Sequence, residues 1–203
     1  MAEQSVTRVR LRNVRASYPN VFAPKKNDEG VDKYSMALLM DRNDPYYKEN
    51  KAAYDKAVEH LLNEAGPKLG WKKDTNGKWK GMGSFKLPWR DGDDKSAKNP
   101  EYEGCDFVNA ASNNRPGLFN IKGGKPITEE SGDFYAGCYC HVVVNFYLFG
   151  LKPGSKSTGI AVGLENIMKC KDGENLSGKG RATVDEFTDL LEDDDDDDDF
   201  KPL

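Results

Sequence analysis

Aromatic and basic side chains recur together in three stretches of this chain: residues 18–26, residues 71–90 and the outward-reading positions of residues 139–149. No covalent step follows from such a mixture. Flat rings offer faces on which other rings stack, and lysine and arginine neutralise phosphate. A groove that holds single-stranded nucleic acid without reading its sequence needs both kinds of group. The stacking candidates are Tyr139 and Tyr147, on a strand face opposite an aliphatic stripe, and Trp71, Trp79 and Trp89, in a basic loop region; Tyr18, Phe22 and Tyr34 complete the set. Phosphate candidates are Arg8, Arg10, Arg12, Lys25, Lys26, Lys72, Lys73, Lys86, Arg90 and Arg115. Any one of these rings is more often a core residue than a contact, so the set carries the reading and not its members. Arg8, Arg10 and Arg12 fit a solvated strand face as well as a phosphate stripe.

Charge polarity points the same way. Residues 185–203 hold eleven acids against one base, Lys201, which leaves 29 basic and 23 acidic residues in 1–184 of a chain whose net charge is -4. A basic body tethered to its own polyanion implies a ligand that is also a polyanion. The run Glu192, Asp193, Asp194, Asp195, Asp196, Asp197, Asp198, Asp199 and Phe200 repels itself and buries nothing, so it is expected to be disordered. Solubility alone would account for it. It would also compete with phosphate for a basic groove and offer Phe200 to a partner's pocket.

The elements that must position these residues are mostly strands. Residues 6–18 alternate Val9 and Leu11 against the arginines. The phase then slips to Val14, Ala16 and Tyr18, which predicts a bulge near Asn13. Further strands are expected over residues 33–41, 105–111 and 118–122. In residues 139–149, Cys140, Val142, Val144, Phe146 and Leu148 form the core stripe, and the last strand is expected over residues 159–171. Asp44-Pro45 opens one helix, about 45–65, that stops at Gly66-Pro67. The domain is expected over residues 1–184, with a long basic insertion at about 66–104 containing a hairpin around Asn76-Gly77, and the acidic tail over 185–203. Five strand regions, one flanking helix, long insertions and a bulged first strand indicate a mainly β protein. A small barrel is expected, with the oligonucleotide-binding (OB) fold the commonest of that kind, although a β-sandwich would give much the same string.

Other classes are poorly served. Asp91-Gly92-Asp93-Asp94 resembles part of a calcium loop but lacks the distal glutamate, and two histidines leave little for acid–base work. No catalytic residue, metal site or cofactor is therefore expected. Cys105, Cys138, Cys140 and Cys170 lack zinc spacing and read as small core residues. The apolar runs are too short for a membrane span, and the N-terminal residues lack a secretory pattern, so a reducing cytoplasm is expected. The rival is an acidic interaction protein or DNA mimic that inhibits host nucleic-acid-binding proteins. That reading predicts acid spread over the folded surface, whereas here it is concentrated in the tail.

The chain resembles bacteriophage single-stranded DNA-binding proteins, and more closely a phage family long labelled as of unknown function. The resemblance is carried by Val9-Arg10-Leu11 through Phe22, Lys33-Tyr34-Ser35, Asn109-Ala110-Ala111-Ser112 with Arg115-Pro116, Tyr135-Ala136-Gly137-Cys138-Tyr139, and Gly159-Ile160-Ala161-Val162-Gly163-Leu164 through Asp172-Gly173-Glu174. It implies a five-stranded Greek-key OB barrel that coats single strands during phage DNA replication, recombination or repair in the cytoplasm of the infected bacterial host. It also implies polymerase, helicase or primase as tail partners. Relatives usually end on an aromatic residue, whereas here Lys201-Pro202-Leu203 follow Phe200.

Overall fold

A computed structural model describes residues 5–27, 29–152 and 154–177; the expected acidic tail lies outside them. In chain order the elements are β1 (Arg8–Lys26), β2 (Asp32–Asp41), helix α1 (Tyr47–Lys68), β3 (Lys72–Lys73), β4 (Trp79–Lys80), β5 (Arg90–Asp91), the short helix α2 (Asp93–Ser96), a 3-10 turn (Pro100–Tyr102), β6 (Cys105–Ser112), β7 (Gly117–Asn120), β8 (Tyr139–Phe149) and β9 (Gly159–Lys171).

β1 pairs antiparallel with β2 and β8, β2 with β6, and β8 with β9. A parallel contact between β6 and β9, Ala111 opposite Gly163, closes the circuit. The result is the five-stranded OB barrel, with β7 and β5 added as short outer strands. Alternation along each strand fills the interior: Leu11, Val14, Leu38, Val108, Cys140, Val142 and Val144 are wholly buried, as is Cys138 just before β8. Burying a Val or Leu side chain stabilises by about 1.5–3 kcal/mol, so this interior supplies the main driving force.

β1 is longer than its alternation suggested because it continues past three register shifts, the last between Asn20 and Lys25. The first break is the expected bulge. The register slips between Leu11 and Val14, and Asn13 takes a left-handed φ of 49°. Its backbone N–H donates to His141 Nδ1 at 3.1 Å and its carboxamide donates to Asp44 at 2.5 Å, which offsets the strain. The second break lies between Ser17 and Asn20, where Tyr18 has φ 46° and its ring is turned out to solvent.

Helix α1 departs from expectation at both ends. Asp44 and Pro45 form a turn ahead of the helix, with the Asp44 carboxylate accepting from Tyr46 N–H, and the cap position falls on Tyr46. At the other end the helix runs through Gly66 and Pro67. Pro67 gives up one i→i−4 hydrogen bond there, and the Trp79 ring occupies the space a Cβ at Gly66 would need, 2.5 Å from its nearest atom. The insertion contains the expected hairpin, β3 against β4, and also α2, a second helix that composition did not signal.

Candidate nucleic-acid interface

The outer face of β2, β6, β9 and the end of β8 is floored by small residues: Ala37, Ala111, Ala161 and Gly163. Two clefts meet on this floor and share Asn109 and Ala111. The first is lined by Tyr18, Asn20, Ser35, Lys95 and Asn99. The second is lined by Lys86, Leu87, Arg90, Tyr147 and Phe149. Together they form a groove with an exposed tyrosine in each half, Tyr18 at 64 % and Tyr147 at 44 % exposure. Lys86, Arg90 and Lys95 lie along its length.

Each ring is placed by local backbone. Tyr18 is turned out by the second β1 break and steadied by a hydrogen bond from its hydroxyl to Asn99 Oδ1 at 2.7 Å. Tyr147 stands on β8 beside Gly163, with its ring 3.7 Å from where a Cβ on Gly163 would sit. The strand pair β2–β6 and the loop joining β1 to β2 are the parts of an OB barrel that take up oligonucleotides. A third cleft adjoins the first through Tyr18 and Asn20, and it is lined by Lys25, Ala136, Leu176 and Ser177. The chain therefore leaves the described body at the Tyr18 end of the groove. Gly137 fixes that exit: at φ 113°, a Cβ there would collide with the Glu174 carbonyl oxygen.

The insertion carries Lys86, Arg90 and Lys95, and a charge cluster clamps it to the barrel. Arg42 donates to Asp106 at 2.8 Å, to Asp93 at 2.6 Å and to Asp91. Tyr47 and Trp89 donate to the other oxygen of Asp106 at 2.5 and 2.7 Å. Burial works to raise the Asp106 pKa, but these hydrogen bonds outweigh it and hold the carboxyl below its ordinary value. Burial, with the bond to Asp106, pushes Tyr47 up to about 12. Above the clamp, Tyr102 and Phe107 stack edge to face at 5.0 Å with Ala37 and Leu39. They form a small second core that supports the Lys95 side of the groove.

The structure distributes the other candidates from sequence differently. Trp89 is packed between Tyr54 and Tyr47, at 4.8 and 6.2 Å, and its indole N–H is spent on Asp106. Trp71 meets Trp79 and Phe85 edge to face, and Trp79 lies on Gly66 beneath Lys73. These tryptophans hold the insertion to α1 and do not line the groove. Tyr139 sits at the far end of β8 from Tyr147, against Gly173 and under Lys171 at 4.3 Å. Phe22 packs partly on the core with Arg115 above it at 5.7 Å, and Tyr34 is half-buried on β2.

Arg8 pairs with Glu165, and Arg12 pairs with Glu49 and stacks on Tyr46 at 4.0 Å; with Arg10 they line a separate cleft on β1 and β8. Lys25 reaches the groove's end, Lys26 is exposed at the end of β1, and Lys72 and Lys73 lie on the β3 hairpin. The sequence reading missed Asn20, Lys95, Asn99 and Asn109 as groove residues. Asn109 could have been found, because it occupies an outward position of a strand whose alternate residues, Val108 and Ala110, are apolar. Among the described residues there is no group of three or more His, Cys, Asp or Glu side chains placed to hold a metal ion.

Comparison with known proteins gives concordant matches. The family profile of the Enterobacter phage Enc34 ssDNA-binding protein matches residues 7–201. The protein p50 of Acyrthosiphon pisum secondary endosymbiont phage 1 is 29 % identical over 185 residues, 90 % of this chain and 94 % of its own length. Among solved structures, the Enc34 single-stranded DNA-binding protein in complex with ssDNA is 25 % identical with a TM-score of 0.64, over 86 % of this chain and 96 % of that one. Its C-terminal truncation superposes with a TM-score of 0.65 at 24 % identity, over 83 % and 88 %.

Proposed function

We propose, from the premise that the chain belongs to the family of the Enterobacter phage Enc34 ssDNA-binding protein, that it coats single-stranded DNA without sequence selection through the Tyr18–Tyr147 groove. One observation carries the reading: exposed rings and basic side chains share one small-residue floor on the face an OB barrel uses for oligonucleotides. Bases stack on Tyr18 and Tyr147, while Lys86, Arg90, Lys95 and Lys25 neutralise the backbone. Binding is an equilibrium between charges and ring faces, so no cofactor enters.

The acidic C-terminal segment competes for the same groove. Support comes from its charge and from the chain leaving the body beside Tyr18. The 26 residues after Ser177 reach up to roughly 85 Å when extended. DNA that displaces the segment exposes Phe200 and its aspartates to replication proteins of the infected host's cytoplasm, the polymerase, helicase or primase class. Replication, recombination and repair all present the single strands such a protein would protect.

The test is fluorescence anisotropy on a labelled oligothymidine of about thirty bases, longer than the 4–16 nucleotides one OB barrel covers. A duplex of equal length and a truncation after Val184 are run across a salt series. Preference for the single strand, a tighter truncated form and a negative salt slope are expected. A full chain that binds neither nucleic acid at low salt would overturn the reading.

A further inference from the structure

Three carboxamides line the groove, and two of them are spent inside the protein. Asn99 accepts the Tyr18 hydroxyl, and Asn20 donates to Ser35 Oγ at 3.2 Å and to the Tyr18 carbonyl at 3.3 Å. Asn109 is different. It is exposed on the outer face of β6, it lines both clefts, and its side chain has no hydrogen-bond partner among the described residues. Directly across on β2 stands Ala37, and two residues on, Ala111 faces Gly163 of β9. A carboxamide without a partner among the described residues thus rises beside Ala37, Ala111 and Gly163, between the half of the groove that holds Tyr18 and the half that holds Tyr147.

We propose that Asn109 hydrogen-bonds the Watson–Crick edge of a base held between the two stacking tyrosines, which makes the groove tolerant of every base but selective for unpaired ones. The inference rests on the binding reading above. Its chemistry follows from the side chain: a carboxamide presents one acceptor and one donor group side by side, and rotation by half a turn about its terminal torsion exchanges them. The Watson–Crick edges of adenine and cytosine offer an acceptor beside a donor, and those of thymine and guanine offer a donor beside an acceptor. Either orientation of Asn109 therefore meets two bases, and the flip meets the other two. In a duplex these edges face the complementary strand. The contact then exists only on single strands, and it accounts for preference without sequence readout.

Two substitutions test this, because the site is exposed and neither removes a packing or hydrogen-bonding partner. Asn109→Ala removes both functions. Asn109→Asp keeps the shape but leaves acceptors only, and guanine alone has two adjacent donors on that edge. Binding is measured by anisotropy on alternating G/T, C/T and A/C single strands and on an abasic strand of equal length, with folding checked by circular dichroism.

Asn109→Ala is expected to weaken binding about three- to tenfold on every base-bearing strand and not at all on the abasic one. Asn109→Asp is expected to weaken C/T and A/C strands more than G/T, creating a guanine preference that the parent protein lacks. Equal losses on abasic and base-bearing strands, or an Asn109→Asp rank order unchanged from the parent, would overturn the assignment while leaving the binding reading intact. Failure of the parent protein to bind any of these strands would overturn both.

Discussion

Removing the Tyr147 ring separates stacking from stability. The ring is 44 % exposed, forms no hydrogen bond among the described residues and lies outside both buried clusters, with its edge over Gly163. Truncation of Tyr147→Ala therefore opens no cavity, and the change in folding free energy should stay within about 0.5 kcal/mol, the range of ordinary surface substitutions. A base stacked on a protein ring contributes about 1–3 kcal/mol by alanine substitution, so affinity for oligothymidine should fall by roughly five- to 150-fold. No charge is removed, so the slope of log K against log salt should not move. The assay is anisotropy across a salt series, paired with urea unfolding of the same preparation. A folded Tyr147→Ala protein that binds with parental affinity would remove this ring from the site. A parallel fall in stability and affinity would show that the ring supports the fold and not the ligand.

Lys86→Ala and Arg90→Ala should each weaken binding on all sequences alike and flatten the salt slope by about 0.7 for each phosphate no longer neutralised; an unchanged slope would place that cation outside the path of the strand. Trp89→Phe keeps the ring packed on Tyr54 but removes the donor to Asp106, so urea unfolding should show a loss of about 1.5–3 kcal/mol with affinity nearly retained. A large affinity loss at parental stability would instead mark Trp89 as a contact. His141 should titrate below its ordinary value of 6.5, because burial first and then the Arg12 and Arg10 charges oppose its protonation. The unfolded chain takes up that proton first, so this contribution to stability is complete above about pH 6.5 and declines as pH falls toward the folded-state pKa. A nuclear magnetic resonance titration placing His141 at or above 6.5 would contradict the Asn13 N–H···Nδ1 arrangement at the bulge.

Local chemistry in the sequence determined the strands, the bulge at Asn13 and the polarity between a basic body and an acidic end. Alternation with a period of two, a phase slip and a run of like charge are each expressed within a dozen residues. Tertiary structure decided which rings are left for a ligand. An aromatic next to lysines reads the same whether its face is open or taken. Trp79 is taken because Gly66, thirteen residues earlier, leaves a hole its ring fills, and Trp89 because a half-buried carboxylate at Asp106 needs its N–H. Tyr18 is open because a positive φ turns it away from the barrel, and Tyr147 because the closing β6–β9 contact places Ala111 and Gly163 beside it and nothing larger. That parallel contact joins residues separated by about fifty positions in sequence. No local pattern encodes it, because pairing across such a distance is selected by the packing of the whole interior.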